Sequence, residues 1–381
     1  MNTPQVTKVV CKQLQRYIGW PTLIRISDGR LVTVFSGDRE GHVCPFGKTF
    51  LTDSRDDGES WSEPQLVNNT PLDDRDTGLC ECPDGTLVLT WFASWNSNYM
   101  NIFRDNVYAI KSLYALGREE WQAKVDSVSF ENIRAWAPHL HMLDGSATKD
   151  VGYWCRRSRD GGKTWDTPSR APVKAPHGAL AMPSGDLLYV GNYYIDADPD
   201  KYSVGIFLSP DQGLNWKWLA DVSAFPEGEY EGEKRKAFLC EPHVVRAPSG
   251  KLIAMARDGQ KKYEDRFLWQ FESIDGGISW SEPVQTKILG FPPYLQTLED
   301  GRLMLSYSAR HQPPGHRVAI SDDEGQIWVE CLCEHAPTDI HPDDIGYPST
   351  ARCSDGTFVS VYYQPERADE KPCLMMTRFA L

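Results

Sequence analysis

Two carboxylic acids, a phenol, a histidine and several arginines recur at fixed distances from six short turns, and these residue types together suit acid–base chemistry on an anionic substrate. The turns are Ser27-Asp28-Gly29-Arg30, Pro83-Asp84-Gly85-Thr86, Pro183-Ser184-Gly185-Asp186, Pro248-Ser249-Gly250-Lys251, Glu299-Asp300-Gly301-Arg302 and Ser354-Asp355-Gly356-Thr357. Nine residues before the turn glycines stand Trp20, Asp76, Pro176, Glu241, Pro292 and Tyr347, and His177 stands eight before its own. Seven to ten residues after them lie Asp38, Arg39, Trp95, Arg257, Asp258, Arg310 and Gln364. If the six turns superpose, both sets fall on one rim, although they are scattered over more than 300 residues of sequence. A glutamate there can take a proton, an arginine can hold a carboxylate, and a tyrosine becomes a nucleophile once a base relieves it of its proton.

The elements that must carry these residues are legible from a second repeat. Ser-x-Asp-x-Gly-x-x-Trp occurs five times, beginning at Ser54, Ser158, Ser209, Ser273 and Ser321. Its aspartate can fold back onto backbone N–H groups, its glycine accepts a positive φ, and its tryptophan covers the turn, so these aspartates read as structural. Each of the six glycine turns is followed by a strand-like run such as Leu31-Val32-Thr33-Val34-Phe35, which makes it a hairpin. The intervals from hairpin glycine to the next box serine are 25, 73, 24, 23 and 20 residues. Four-stranded units repeating about every 50 residues predict an all-β, six-bladed β-propeller, a single domain over residues 1–381. The last blade is expected to borrow a strand near Val6 to Gln13, because closing the ring removes an exposed sheet edge. The long interval predicts a partly helical insertion in blade two, about residues 96–150, with Trp95, Trp121 and Trp136 as candidates for a lid.

Composition narrows the partners. A net charge of −13 argues against nucleic acid, while local arginines still allow an anionic sugar. The 13 Trp, 16 Tyr and 14 Phe are many for this length, and five of the Trp are used by the boxes. The ten cysteines include Cys80-Glu81-Cys82 and Cys331-Leu332-Cys333, whose spacing does not suit zinc, so buried thiols and no metal or cofactor are expected. Asn68-Asn69-Thr70 fits a glycosylation acceptor, a match too short to carry weight. No membrane-spanning run and no leader-like segment stand out, so a complete chain is expected in the cytoplasm and a trimmed one in the periplasm or outside the cell.

At this point the chain resembles the sialidase superfamily, six-bladed propeller glycosidases whose turns carry the Asp box. The most specific stretch runs from Cys240-Glu241-Pro242-His243 through the hairpin to Met255-Ala256-Arg257, and the second is Gly346-Tyr347-Pro348-Ser349-Thr350. The resemblance implies that Tyr347 is the nucleophile, Glu241 the base that activates it, and Arg257 a carboxylate-binding arginine. Either Arg310 or Arg317 fills the place of a further arginine. The family's general acid lies on the loop before the first box, where Asp38, Glu40 and His42 are candidates. His42 is the closest to the box, and its ordinary pKa suits proton donation. Arg39, Asp76, His177 and His243 complete the expected substrate-binding set.

Two departures accompany the match. Where sialidases have an Arg-Ile-Pro segment bearing the central carboxylate ligand, this chain reads Gly19-Trp20-Pro21, and the glutamate that braces that arginine is replaced around Tyr363-Gln364. Loss of both partners of an ion pair is coherent, since either charge alone would stand unpaired. The resulting expectation is a retaining glycoside hydrolase that releases a terminal acidic sugar, sialic acid or a relative. The alternatives are a lyase acting on a uronic acid and a carbohydrate-binding propeller without catalysis.

Overall fold

Hydrophobic alternation on short strands becomes six four-stranded antiparallel sheets around a central channel in the computed structural model, which describes residues 6–42, 44–94, 149–194, 202–222, 227–230, 233–259, 266–311, 313–336, 340 and 344–381. The innermost strands are Tyr17–Arg25, Asp73–Glu81, Leu180–Ala181, Leu239–Arg246, Phe291–Thr297 and Gly346–Arg352, one for each of blades one to six. Val6–Cys11 pairs antiparallel with Cys373–Phe379 and becomes the fourth strand of blade six, as ring closure predicts. Among the described residues there is no α-helix, and no helix long and apolar enough to cross a membrane. The insertion expected at 96–150, with its helical character and lid tryptophans, lies outside the described residues but for Lys149 and Asp150.

The core lies between neighbouring blades. Leu23, Leu31 and Phe35 of blade one pack with Val359, Val361 and Met376 of blade six, all nearly free of solvent contact. Full burial of each such side chain is worth about 1.5–3 kcal/mol relative to exposure.

The five boxes fasten one blade to the blade before it. In the first, Ser54 Oγ donates to Asp56 Oδ1 at 2.8 Å and accepts from Gly58 N at 2.8 Å, while Asp56 accepts from Ser60 N at 2.8 Å. The turn so fixed presents its glycine to the neighbouring sheet. A Cβ on Gly58 would lie 3.3 Å from the Met376 side chain of blade six, and one on Gly277 3.3 Å from Leu188 of blade three. Arg30 of blade one donates to Gly161 O, Ser169 of blade two to Gly213 O, and Gln270 of blade four to Gly325 O, at 2.8, 2.8 and 3.0 Å.

The inner strands share a second feature. Trp20, Asp76, Glu241 and Tyr347, each nine residues before a hairpin glycine, have φ of 53°, 52°, 53° and 56°. Strand pairing shifts register around each of them. The bulge swings these four side chains toward the channel mouth. Pro21, Pro242 and Pro348 follow three of them, so no backbone donor is stranded inside the bulge. The two other equivalent positions are Pro176 and Pro292, whose rings fix φ near −65°.

Hydrogen bonds from Ser60 and Ser279 pull the Asp56 and Asp275 carboxyls down to about 2. A depressed carboxylate contributes stability that is complete above its unfolded value near 3.9 and is lost as pH falls through the folded value. The urea midpoint is therefore expected to fall between about pH 4 and pH 2, and Asp56→Asn combined with Asp275→Asn is expected to be less stable at neutral pH with a shallower acid decline. Equilibrium urea unfolding across that pH range measures both.

Candidate active site

Three side chains from blades four and six meet at the channel mouth. Tyr347 Oη donates to Glu241 Oε1 at 2.7 Å, and Arg257 donates to the same carboxylate through Nε at 2.6 Å and Nη2 at 2.8 Å. Asn192 of blade three places the group from behind, its side-chain oxygen accepting from Glu241 N at 2.8 Å while its amide donates to Leu239 O at 3.0 Å. Burial alone would raise the Glu241 pKa, but the bidentate Arg257 outweighs it and holds the group below the ordinary glutamate value. Burial pushes the Tyr347 phenol well above its usual value, and the charges of Glu241 and Asp76 add to this. Glu241 is thus an ionised acceptor against a neutral phenol at neutral pH.

A second arginine flanks the group. Arg310 donates to Ile345 O at 2.9 Å and to the Tyr363 hydroxyl at 3.3 Å, and the Phe291 ring lies 4.8 Å from its guanidinium and 5.3 Å from that of Arg257. An aromatic face between two cations softens their repulsion. Arg317 does not reach this place. It donates to Pro313 O, Glu334 O and His316 O and is 3.7 Å from Glu330, on the outer part of blade five. Of the two arginines left open by the sequence, the geometry brings Arg310 to the site.

Trp20, on the inner strand of blade one, is 1% exposed. Its ring centroid lies 5.6 Å from that of Tyr17, 5.9 Å from Tyr363, 6.4 Å from Tyr347 and 5.0 Å from His42. In the segment where the resembled family has Arg-Ile-Pro, Gly19 stands at the arginine's place, a Cβ there would lie 3.0 Å from the Tyr17 ring, and Trp20 beside it packs against Tyr363.

Beside Trp20, Tyr17 Oη donates to Asp344 Oδ1 at 2.5 Å, and His42 Nδ1 is 3.1 Å from the same oxygen. Burial lowers the His42 pKa, and the charges of Arg75 and Arg39 lower it further against the pull of Asp344. Asp344 itself is raised by burial and lowered more strongly by its bonds to His42 and Tyr17, ending below the ordinary value. Asp344 and Tyr17 lie at none of the positions counted from the hairpins, Asn192 lies seven residues after Gly185 and so at a counted one, and the sequence reading singled out none of the three.

Asp76 faces the same mouth from blade two. Its carboxyl is raised to about 6, first by burial and then by the charge of Glu241, against Arg75, Lys174 and Arg257. Lys174 lies 4.5 Å from the Phe92 ring and Arg75 5.2 Å from it.

Other expected site residues sit elsewhere. Arg39 lies beneath Trp20, 4.7 Å from its ring, fully buried and 2.7 Å from Asp73. Asp38 takes up a left-handed backbone (φ 55°), turns away from Trp20 and pairs with Lys48 and Arg16. His177 and His243 form a floor with Tyr294. His177 Nδ1 is 3.1 Å from Thr22 Oγ1, His243 Nδ1 accepts from Leu295 N at 2.9 Å, and the His243 ring stacks on Tyr294 at 4.9 Å. Burial lowers the His243 pKa to about 3. Under this floor a cavity of about 520 Å³ opens toward the hairpins. Among the described residues no group of three or more His, Cys, Asp or Glu side chains could hold a metal ion.

A six-bladed Asp-box ring with a tyrosine–glutamate–arginine group at one mouth is a propeller of the sialidase fold. The chain belongs to the BNR repeat-like domain family, whose profile matches residues 5–232 and 230–360. Its fold is similar to that of a protein of unknown function from Dyadobacter fermentans, with 21% identity over 98% of each chain and a TM-score of 0.74. The Hadza microbial sialidase Hz136 gives 16% identity and a TM-score of 0.62, over 96% of this chain and 66% of that one. The NanB sialidase of Streptococcus pneumoniae gives 14% identity and a TM-score of 0.60, over 96% of this chain and 68% of that one. This chain therefore spans about two thirds of the length of those two sialidases. No curated protein matches it by sequence.

Trp20→Arg is expected to destabilise the fold by about 3–5 kcal/mol, the usual cost of a buried charge without its partner. Adding Tyr363→Glu is expected to recover part of that loss. A double-mutant cycle by urea unfolding reads the coupling.

Proposed function

We propose that the protein is a retaining glycoside hydrolase that releases a terminal acidic sugar from a glycan. The observation that carries this reading is the 2.7 Å bond from Tyr347 to a Glu241 carboxylate kept ionised by Arg257. An anionic nucleophile approaching an anionic sugar would be repelled, whereas a phenol stays neutral until the moment of attack. As Tyr347 Oη bonds to the anomeric carbon, its proton passes to Glu241, and the bond to the leaving oxygen breaks. Water then attacks the same carbon, and Tyr347 departs and recovers its proton. Arg257 and Arg310 supply the positive field for the substrate's acidic group.

The sialidases among the structural neighbours point to the same reaction class, and the loss of a central ion pair at Gly19 and around Tyr363-Gln364 separates this site from the resembled pattern. The sugar is accordingly an acidic one gripped from the Arg257 and Arg310 side of the mouth.

Incubation with sialyl, uronyl and neutral glycosides, with products identified by mass and anomeric configuration by NMR, is expected to show release of one acidic sugar with retention. Tyr347→Phe and Glu241→Gln are each expected to lower kcat at least about a hundredfold without loss of the folded ring. Inversion of configuration, or full activity in Tyr347→Phe, would overturn the assignment. An unsaturated product absorbing in the ultraviolet would identify a lyase instead.

A further inference from the structure

The mouth is positive on two walls, and a single acidic group engages only one of them. On blade five the Phe291 ring lies 5.3 Å from the Arg257 guanidinium and 4.8 Å from that of Arg310. On blade two the Phe92 ring lies 5.2 Å from the Arg75 guanidinium and 4.5 Å from the Lys174 ammonium. Each blade touches the next, and blade six touches blade one, so blades two and five face each other across the channel. Trp20 stands between the Phe92 wall and the nucleophile, 5.4 Å from the Arg75 guanidinium and 6.4 Å from the Tyr347 ring.

Lys174 is placed by its backbone rather than by a partner for its charge. Its N–H donates to Asn192 O at 3.0 Å and its carbonyl accepts from Asn192 N at 2.8 Å, on the residue whose side chain also fixes Glu241. Among the described residues its ammonium group has no hydrogen bond and no carboxylate within 4.0 Å. Burial lowers its pKa against the pull of Asp76 and Glu241, as befits a cation short of counter-charge. Arg75 is little better matched. Its Nε is buried without a hydrogen-bond partner, its Nη1 donates to His42 O at 3.4 Å, and it shares Asp73, 3.5 Å away, with Arg39, which is closer at 2.7 Å.

The charges on this wall do not balance. Arg39, Arg75 and Lys174 face two carboxyls, Asp73 and Asp76, and Asp76 takes part in no ion pair among the described residues. Asp74, on the same strand, turns away to Asn68 and Thr70. One positive charge is therefore unanswered with Asp76 ionised, and two with it protonated. A partly buried cation without a partner is unfavourable until an anion reaches it, and neither Arg75 nor Lys174 is sealed from solvent.

Resting on the glycosidase reading for the place of the cleaved bond, we infer that the substrate carries two anionic groups, the first held by Arg257 and Arg310 and the second by Arg75 and Lys174 on the Phe92 wall. The donors suit a sulfate ester or a second carboxylate, since Arg75 offers a planar fork of N–H groups and Lys174 a compact point charge. The substrate class is then a polyanionic glycan, not one acidic sugar at the end of a neutral chain.

The test uses the intact protein with sialyl and uronyl disaccharides. Each singly charged parent is compared with three relatives, which bear a sulfate ester on the terminal sugar, a sulfate ester on the neighbouring sugar, or a carboxylate on the neighbouring sugar. One relative is expected to exceed its parent at least about tenfold in kcat/KM, chiefly through KM, and its identity tells where the second group sits. Lys174→Met keeps the apolar stem, and Arg75→Gln keeps some hydrogen bonding, so both are expected to fold, as circular dichroism checks. Each is expected to lower kcat/KM for that relative at least about fivefold more than for its parent. The absence of any preference for a doubly charged relative, or equal losses on parent and relative in both variants, would overturn the inference. Isothermal titration of the same disaccharides into Tyr347→Phe is expected to show the same preference without turnover. If the wild-type protein releases no sugar while titration keeps the preference and Lys174→Met removes it, the glycosidase reading fails and the second anion site stands. Release of sugar without preference gives the reverse result.

Discussion

Trp20, Asp76, Glu241 and Tyr347 stand on four different blades, and each holds a left-handed backbone that costs a side chain of this size roughly 1–3 kcal/mol. The inner strands tolerate it because the rest of each strand is paired and packed beyond the bulge. Without the kink, period-two alternation would send each of these residues along the sheet face rather than into the mouth. The site therefore depends on one backbone distortion repeated around the ring, with chemistry assigned by the side chain each blade places there. Where the repeat carries proline, at Pro176 and Pro292, the mouth receives no such group, and the same two blades present Asn192 and Phe291 instead.

Most of the charge in the mouth is arranged by pairing rather than by excess. Glu241 is matched by Arg257 and Arg39 by Asp73, while Asp344 accepts from the Tyr17 hydroxyl and lies 3.1 Å from His42 Nδ1. The aromatic rings of Trp20, Tyr17 and Tyr363 fill the space between these pairs. A buried ion pair removed as a unit and replaced by well-packed rings is close to neutral for stability, whereas removal of one member is not. That asymmetry explains how a chain can part from the resembled pattern at both Gly19 and Tyr363-Gln364 and still form the same ring.

Much of this arrangement was readable before any coordinates. The turns counted the blades, ring closure called for a borrowed strand near Val6 to Gln13, and the interval of nine picked out Asp76, Glu241 and Tyr347 among others. What counting gives is height along a strand, and height does not say which way a side chain faces. Asp38 and Arg39 illustrate the limit: both lie at rim height, yet the left-handed turn at Asp38 sends one outward to Lys48 and the next beneath Trp20. His177 and His243 lie eight and seven residues before their glycines, just below the bulge, and so became floor rather than wall. Arg310 and Arg317 could be separated only by strand pairing. Asp344 stands twelve residues before its glycine, as Tyr17 does before its own, an offset outside the two sets that were counted.

The boxes also have a mechanical consequence. Each clasps its blade to the preceding one, and five boxes leave one joint of the six-membered ring without a clasp, between blades five and six. That seam is held instead by a buried cluster of Met304, Val318 and Ile320 with Phe358 and Phe379, and by bonds such as Thr7 to Glu334 and Ser306 to Thr350, at 2.9 and 2.7 Å. Arg310 reaches across it to Ile345 and Tyr363, and Tyr347 stands on its far side. A molecule held by Arg310 and Tyr347 together would span the joint, and occupancy of the mouth would then act as a sixth clasp that tightens the whole ring.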